Sequence, residues 1–129
     1  CLYGTMMNMD QFRRMNKWVV SAHTILNYIA MGIDSVDCIL NSVENDNEPP
    51  AEYSQELRAL WYAKTGDWDE AHDIVSNIYT DMGSWIHAHL HVIEGDLGNA
   101  AYWYNKAGRK PSPPSELESE WLEIVKLNL

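Results

Sequence analysis

The amino-acid sequence predicts an all-α protein of about seven helices, and three observations support that prediction. A helix-turn-helix unit occurs twice, as TGDWDEA and EGDLGNA, with its glycines Gly66 and Gly95 separated by 29 positions. Apolar residues recur at helical spacing, and no alternating run typical of a strand is present. The length of 129 residues suits one domain with a core of its own, spanning 1–129.

The N-terminal part is predicted to form a helical hairpin after a loosely packed lead-in. Residues 1–8 show no hydrophobic period, whereas helices are expected within 9–43. Gly32 suits the end of the first helix, and Asp34 suits the N-cap of the second. The acidic, proline-ended segment 44–50 then breaks the helix, and we interpret it as a loop or a linker to the repeated units.

The repeated units predict two helical hairpins over residues 51–113. In each unit, a glycine is expected to end one helix in the left-handed conformation, Gly66 in the first and Gly95 in the second. The aspartate that follows, Asp67 or Asp96, is expected to cap the next helix. Each Gly-Asp pair therefore predicts a tight turn between two antiparallel helices.

The other helix boundaries within the repeats are predicted from proline, glycine and serine. Pro50 suits the start of the first repeat helix. The segment 81–83, Asp-Met-Gly, is expected to end the second helix after an apolar stripe that includes Tyr79. Ser84 is expected to cap the following helix, which runs to Glu94.

A capping helix is predicted over residues 115–129. Ser115 with Glu118 has the spacing of a capping box at its start. Trp121 lies on its apolar face and is expected to close the core of the repeats. The carboxylates within 116–123 are interpreted as a solvated helix face.

Composition excludes several classes of function. The net charge of −10 would repel phosphate, so nucleic acid is not expected as a partner. No membrane span is expected, because polar residues interrupt the longest apolar stretch, Trp18 to Leu40. Cys1 and Cys38 are too far apart to indicate a disulfide framework or a zinc motif, which favours a reducing, cytoplasmic location.

The two units resemble tetratricopeptide-type repeats. The matching positions are Tyr62, Gly66, Ala71, Val75 and Ile78 in the first unit, and Gly95, Ala100, Tyr104 and Ala107 in the second. Residues 57–124 are also similar to a group of short, uncharacterised bacterial proteins that share the strings WDEAH and YWY. The resemblance implies stacked helical hairpins that bind a protein or peptide in a groove, and it brings no catalytic activity with it.

The sequence departs from the repeat pattern in one region. The spacing of 29 is shorter than the ~34 residues of these repeats. His87 and His91 occupy positions where the repeats prefer leucine and tyrosine. The predicted helix that ends at Glu94 is therefore where a special function is sought.

Histidines form the candidate chemical site. His87, His91 and Glu94 are spaced so that they share one face of a helix, and a neighbouring helix can bring His72 to them. Such a set suits zinc, or iron if coordination positions stay open. The alternative is a network of structural hydrogen bonds to carboxylates. His89 is expected to point elsewhere, towards solvent.

Aromatic residues form the candidate partner-binding site. Tyr102, Trp103 and Tyr104 are adjacent on one predicted helix, so they cannot all face one core. We expect Tyr102 to be exposed and to line a groove with Trp103, with Arg58 or Lys106 at its rim. Such a groove can hold a peptide or a small acidic ligand.

The sequence thus favours an adaptor that binds an unidentified protein or peptide, with no catalytic residue and no cofactor. The alternative function is a zinc- or iron-binding protein, or a small metalloenzyme, built on the histidine cluster. A third hypothesis is a homodimer formed through the first helix by Phe12, Trp18 and Ile25.

Overall fold

The computed structural model describes residues 36–129, and that part of the chain is all-α, with no strand. The chain divides into two compact units, Cys1–Asp46 and Asn47–Leu129, and the boundary falls in the segment 44–50 that was predicted as a loop or linker. The helices are α1 (Val36–Asn45), α2 (Gln55–Thr65), α3 (Trp68–Val75), α4 (Asp81–Glu94), α5 (Leu97–Lys106) and α6 (Leu117–Asn128).

Helix α1 is the described part of the first unit. The predicted second N-terminal helix corresponds to α1, and Cys38 and Ile39 are buried on it. Cys38 takes part in a disulfide bond, which the spacing of the cysteines did not indicate. The predicted lead-in, the first helix and its proposed dimer contacts lie outside the described residues.

Both Gly-Asp turns have the predicted conformation. Gly66 and Gly95 are left-handed, with φ of 91° and 85°. The N–H of the following aspartate donates to the carbonyl five residues earlier, at 3.0 Å for Asp67 and 2.9 Å for Asp96. The carboxylate of each aspartate accepts the N–H three residues later, at 3.2 and 3.1 Å. These bonds satisfy the helix ends on both sides of each turn.

Helix α4 is the central element of the second unit. Helix α2 packs on α3 and α4 packs on α5, so each Gly-Asp turn joins a helical hairpin. Helix α4 also contacts α2, α3 and α6, and every residue from Gly83 to Val92 is buried. Stacking of the two hairpins in the tetratricopeptide manner stays a prediction. Among the described residues, none of the helices is long and apolar enough to cross a membrane.

Two helix starts differ from the predictions. Helix α2 begins after Ser54, whose hydroxyl accepts a backbone N–H at 3.2 Å, and not at Pro50, because the serine offers the stronger cap. The predicted capping box of Ser115 and Glu118 does not form. A 3-10 helix, Pro114–Glu116, leads directly into α6, which starts without a side-chain cap.

The connection between α3 and α4 also differs from the prediction. Helix α3 ends at Val75, and the segment 81–83 forms the first turn of α4 instead of ending α3. Thr80 is the cap in place of Ser84, because its hydroxyl accepts the N–H of Gly83 at 3.0 Å. Tyr79 consequently lies in the linker and is 90% exposed, so its predicted place in the core is wrong.

Glycine is required at position 83 by the close approach of this linker. A Cβ there would clash with the carbonyl oxygen of Ile78, so we expect Gly83→Ala to lower the free energy of unfolding by about 1–3 kcal/mol. Gly98 in α5 is the matched control, because a Cβ there meets nothing nearer than 4.0 Å. Gly98→Ala is expected to stabilise by about 0.5–1 kcal/mol. Thermal unfolding followed by circular dichroism compares the two, and equal shifts would contradict the assigned role of Gly83.

Candidate metal centre

Three histidines from two helices meet beside the α3–α4 interface. His72 comes from α3, and His87 and His91 come from successive turns of α4. One nitrogen of each ring lies within 4.8 Å of the other two, and Nε2 of His72 is 3.0 Å from Nε2 of His87. The structure therefore brings together the three histidines that the sequence singled out.

Two indole rings stack on histidines of this cluster. Trp68 stacks on His72 with a centroid distance of 4.6 Å, and its Nε1 donates to the Leu90 carbonyl at 2.6 Å. Trp103 from α5 stacks on His87 at 3.8 Å, with the ring planes 10° apart. These contacts fix the ring planes of both histidines without using their nitrogens.

Glu94 lies at the edge of the cluster and is bonded to one histidine. Nδ1 of His91 donates to the Glu94 carboxylate at 2.7 Å, which fixes the tautomer because an ionised carboxylate only accepts. The other nitrogen of His91, Nε2, has no hydrogen bond to a described residue. Glu94 is not part of the three-histidine set, and it forms a second cluster with His91 and Asp96.

The environment keeps His87 neutral. Burial lowers its pKa. Electrostatic repulsion from His72, His91 and Lys106 lowers it further, to about 4. Near neutral pH the ring is therefore unprotonated. At a separation of 3.0 Å, the Nε2 atoms of His72 and His87 form a hydrogen bond in which one donates and the other accepts.

A cavity opens beside the cluster. Its volume is ≈ 470 Å³, and its walls come from the end of α3, the α3–α4 linker, the start of α4 and α5. His87 and Trp103 belong to both the cluster and the cavity wall, and Lys106 lies in the same wall. A metal ion held by the histidines would therefore border an accessible space.

His89 faces a different side of α4. It is only 2% exposed, and its Nδ1 donates to the Glu120 carboxylate at 2.6 Å, so the expectation that it points to solvent is wrong. Glu120 itself is 4% exposed and accepts from Trp85 Nε1 at 3.2 Å and from the Tyr104 hydroxyl at 2.6 Å. The interpretation of 116–123 as a solvated face is wrong at this position.

The helical periodicity of the sequence is enough to predict that Glu120 lies on a buried face. Glu120 precedes Ile124 by one turn and adjoins Trp121, so it lies on the apolar face of α6. A carboxylate on such a face requires buried donors. The donors come from α4, from α5 and from Ser112 in the segment that follows α5, and their positions depend on the tertiary fold.

The predicted partner-binding residues are only partly brought together. Tyr102 is 59% exposed, as expected, whereas Tyr104 is buried. Tyr102 meets the Trp103 ring edge-on at 5.3 Å, and Lys106 Nζ lies 4.8 Å from the Trp103 ring centre. Arg58 lies on α2, and within the described part of the chain no hydrogen bond, ion pair or ring contact joins it to these residues.

The buried, ionised carboxylate of Glu120 makes the free energy of unfolding depend on pH in the acid range. Burial raises the pKa of Glu120, but hydrogen bonds from His89, Tyr104 and Ser112 outweigh it and lower the pKa from 4.5 to about 2. The pKa of Glu120 is lower in the folded state than in the unfolded state, so its ionised form stabilises the fold at any pH above the unfolded-state pKa. This stabilisation, roughly 3 kcal/mol, is lost as the pH falls through the folded-state pKa.

Urea unfolding at neutral pH and at about pH 3 tests this prediction. Glu120→Gln is expected to lower stability at neutral pH and to lose part of the wild-type acid dependence. Glu118→Gln is the control, since Glu118 is exposed in an ion pair with Lys64 and its removal should cost less than about 1 kcal/mol. An acid dependence unchanged in Glu120→Gln would refute the assignment.

Comparison of the chain with protein-family models, curated proteins and solved structures gives no match. The resemblance to tetratricopeptide repeats therefore stays a prediction from the sequence.

Proposed function

We propose that this protein binds a divalent transition metal ion, zinc in the first place, through His72, His87 and His91. The observation that carries the proposal is the convergence of three histidine nitrogens within 4.8 Å of one another. Imidazole nitrogens are the commonest neutral ligands for zinc in proteins.

The distances are close to those that zinc requires. Tetrahedral zinc with Zn–N bonds of about 2.0–2.1 Å separates its ligand nitrogens by about 3.3 Å. The nitrogens of His72 and His87 are 3.0 Å apart, and all three lie within 4.8 Å. An ion between them would require the more distant nitrogens to move closer together, and it would replace the proton of the hydrogen bond between His72 and His87.

The protonation state of His87 and the hydrogen bond that orients His91 also support zinc binding. A metal requires unprotonated imidazole, and the lowered pKa of His87 supplies that form near neutral pH. The Glu94 carboxylate on Nδ1 of His91 is the kind of outer partner that orients histidine ligands in zinc sites. The cluster thus offers both ligands and a support for one of them.

The ligand set favours zinc over iron. Non-haem iron sites typically combine two histidines with one carboxylate, whereas Glu94 is bonded to His91 and lies outside the three-histidine set. Three protein ligands leave a fourth position on tetrahedral zinc, as catalytic zinc sites do. No general base is assigned, so the proposal is metal binding with an open position beside the cavity.

Peptide binding is the second candidate, and one observation favours it. Tyr102 is an exposed aromatic residue next to Trp103 and Lys106, and such residues are common in binding surfaces. A pull-down with the full chain tests it, with Tyr102→Ala expected to release a captured peptide. Leu127→Ala is the control, since Leu127 is similarly exposed on α6. Equal retention by Tyr102→Ala and wild type would remove this candidate.

The predicted cellular location and the predicted homodimer concern other parts of the chain than the histidine cluster. A cytoplasmic location was inferred from the cysteine spacing, but the disulfide at Cys38 weighs against it because disulfides persist mainly in oxidising compartments. The homodimer through Phe12, Trp18 and Ile25 is a hypothesis about residues beyond the described part.

Metal content tests the main proposal directly. We expect mass spectrometry of protein purified without chelator to find about one zinc ion per chain. His87→Gln and His91→Gln each remove a ligand, so both should lose the metal. His89→Gln is the matched control, because His89 bonds Glu120 away from the cluster and the variant should keep the zinc while losing stability.

Thermal unfolding provides a second readout of the same prediction. Free zinc at a hundred times its dissociation constant adds about 2.7 kcal/mol to stability, so it should raise the melting temperature of the wild type and of His89→Gln. It should leave His87→Gln unchanged. Absence of zinc, with equal melting temperatures with and without added metal, would make the cluster a structural hydrogen-bond network instead.

A further inference from the structure

The cavity beside the histidine cluster presents three kinds of group to a ligand. Lys106 provides an amine, Ser84 provides a hydroxyl, and Val75, Ile78 and Trp103 provide an apolar wall. The volume of ≈ 470 Å³ falls in the range of small-molecule sites, about 300–1,000 Å³. The nature of these groups indicates which class of ligand fits.

Ser84 points to a polar atom in the ligand. Its side chain lines the cavity and is only 6% exposed, yet its hydroxyl makes no hydrogen bond to any described residue. Ser76, in the same wall, differs because its hydroxyl donates to the His72 carbonyl at 2.7 Å. A buried hydroxyl without a partner is costly, so an acceptor in the cavity would stabilise it.

Lys106 points to a negative charge in the ligand. Its Nζ lies over the Trp103 ring at 4.8 Å and forms no ion pair within residues 36–129, in contrast to Lys64, which binds Glu118 at 2.6 Å. A divalent ion held by the three histidines would add positive charge beside Lys106. An anion between Lys106 and the metal ion would balance their positive charge.

Asp81 disfavours a larger negative charge in the ligand. It lines the same cavity, and its carboxylate repels a ligand with several negative charges more strongly than a ligand with one. The apolar wall formed by Val75, Ile78 and Trp103 favours a hydrocarbon or aromatic body next to the anionic group. A monoanion with an apolar body satisfies both conditions.

We infer that the cavity binds a small organic monocarboxylate with an apolar body. Its carboxylate accepts hydrogen bonds from Ser84 Oγ and Lys106 Nζ and takes the open position of the metal held by the histidines. This inference rests on the proposed metal binding and adds the class of ligand to it.

The experiment uses the full chain loaded with one equivalent of cobalt(II), whose visible absorption reports on the ligands of the ion. Benzoate is the probe, and benzamide is the matched neutral control of the same shape. We expect benzoate to change the cobalt spectrum in a saturable way, and benzamide to bind at least about tenfold more weakly. Acetate, which lacks the apolar body, should also bind about tenfold more weakly.

Variants show whether the cavity residues hold the carboxylate. Lys106→Gln and Ser84→Ala should each weaken benzoate binding by about tenfold, the effect of losing one hydrogen bond to a charged group. Lys126→Gln is the control, because Lys126 is an exposed lysine on α6 and the change should have no effect. An unchanged cobalt spectrum before benzoate is added shows that each variant keeps the metal site.

The two hypotheses fail in different ways. Absence of a protein-bound cobalt spectrum would overturn the metal site and the ligand together. A normal cobalt spectrum that benzoate does not change, or that benzamide changes at equal concentration, would overturn the carboxylate alone. Equal benzoate affinity in Lys106→Gln and the wild type would show that the anion binds the metal without the cavity, and would also overturn the inference.

Discussion

Burial of the middle of α4 is the constraint on which the second unit depends. Every residue from Gly83 to Val92 is buried, although three of them are histidines, and a buried polar ring requires a partner. The histidines find partners in three places: His72 on α3, Glu94 at the end of α4 itself, and Glu120 on α6. The helices around α4 are thus specified by polar contacts as well as by apolar packing.

The two polar clusters on α4 have different chemistry. His89 is two residues from His87 and from His91, so it projects about 200° away from each around the helix. On its side, a single carboxylate collects donors from α4 and α5, and this satisfied network holds α6 in place. On the other side, three histidines converge, and Glu94 bonds one of them from outside the set. The first cluster stabilises the fold, and the second is the one that we propose as a metal site.

Local signals in the sequence predict the turns and one face of the site. Gly66 and Gly95 are predictable because a left-handed helix end followed by a capping aspartate is a property of a few adjacent residues. The shared face of His87 and His91 follows from helical periodicity alone. The start of α4 was missed because Thr80 caps it through Gly83, where glycine normally indicates a stop. The role of Glu120 was missed because its donors are distant in sequence.

Trp103 connects the metal and partner-binding hypotheses. One face of its ring is stacked on His87 at 3.8 Å, Tyr102 meets it edge-on, and Lys106 lies near the ring. The two hypotheses therefore share a residue whose orientation is already fixed by the histidine cluster. The proposed metal would bind side chains that already converge, whereas a peptide would need contacts that extend beyond Tyr102. For this reason we propose metal binding ahead of peptide binding, with Trp103 packed against His87.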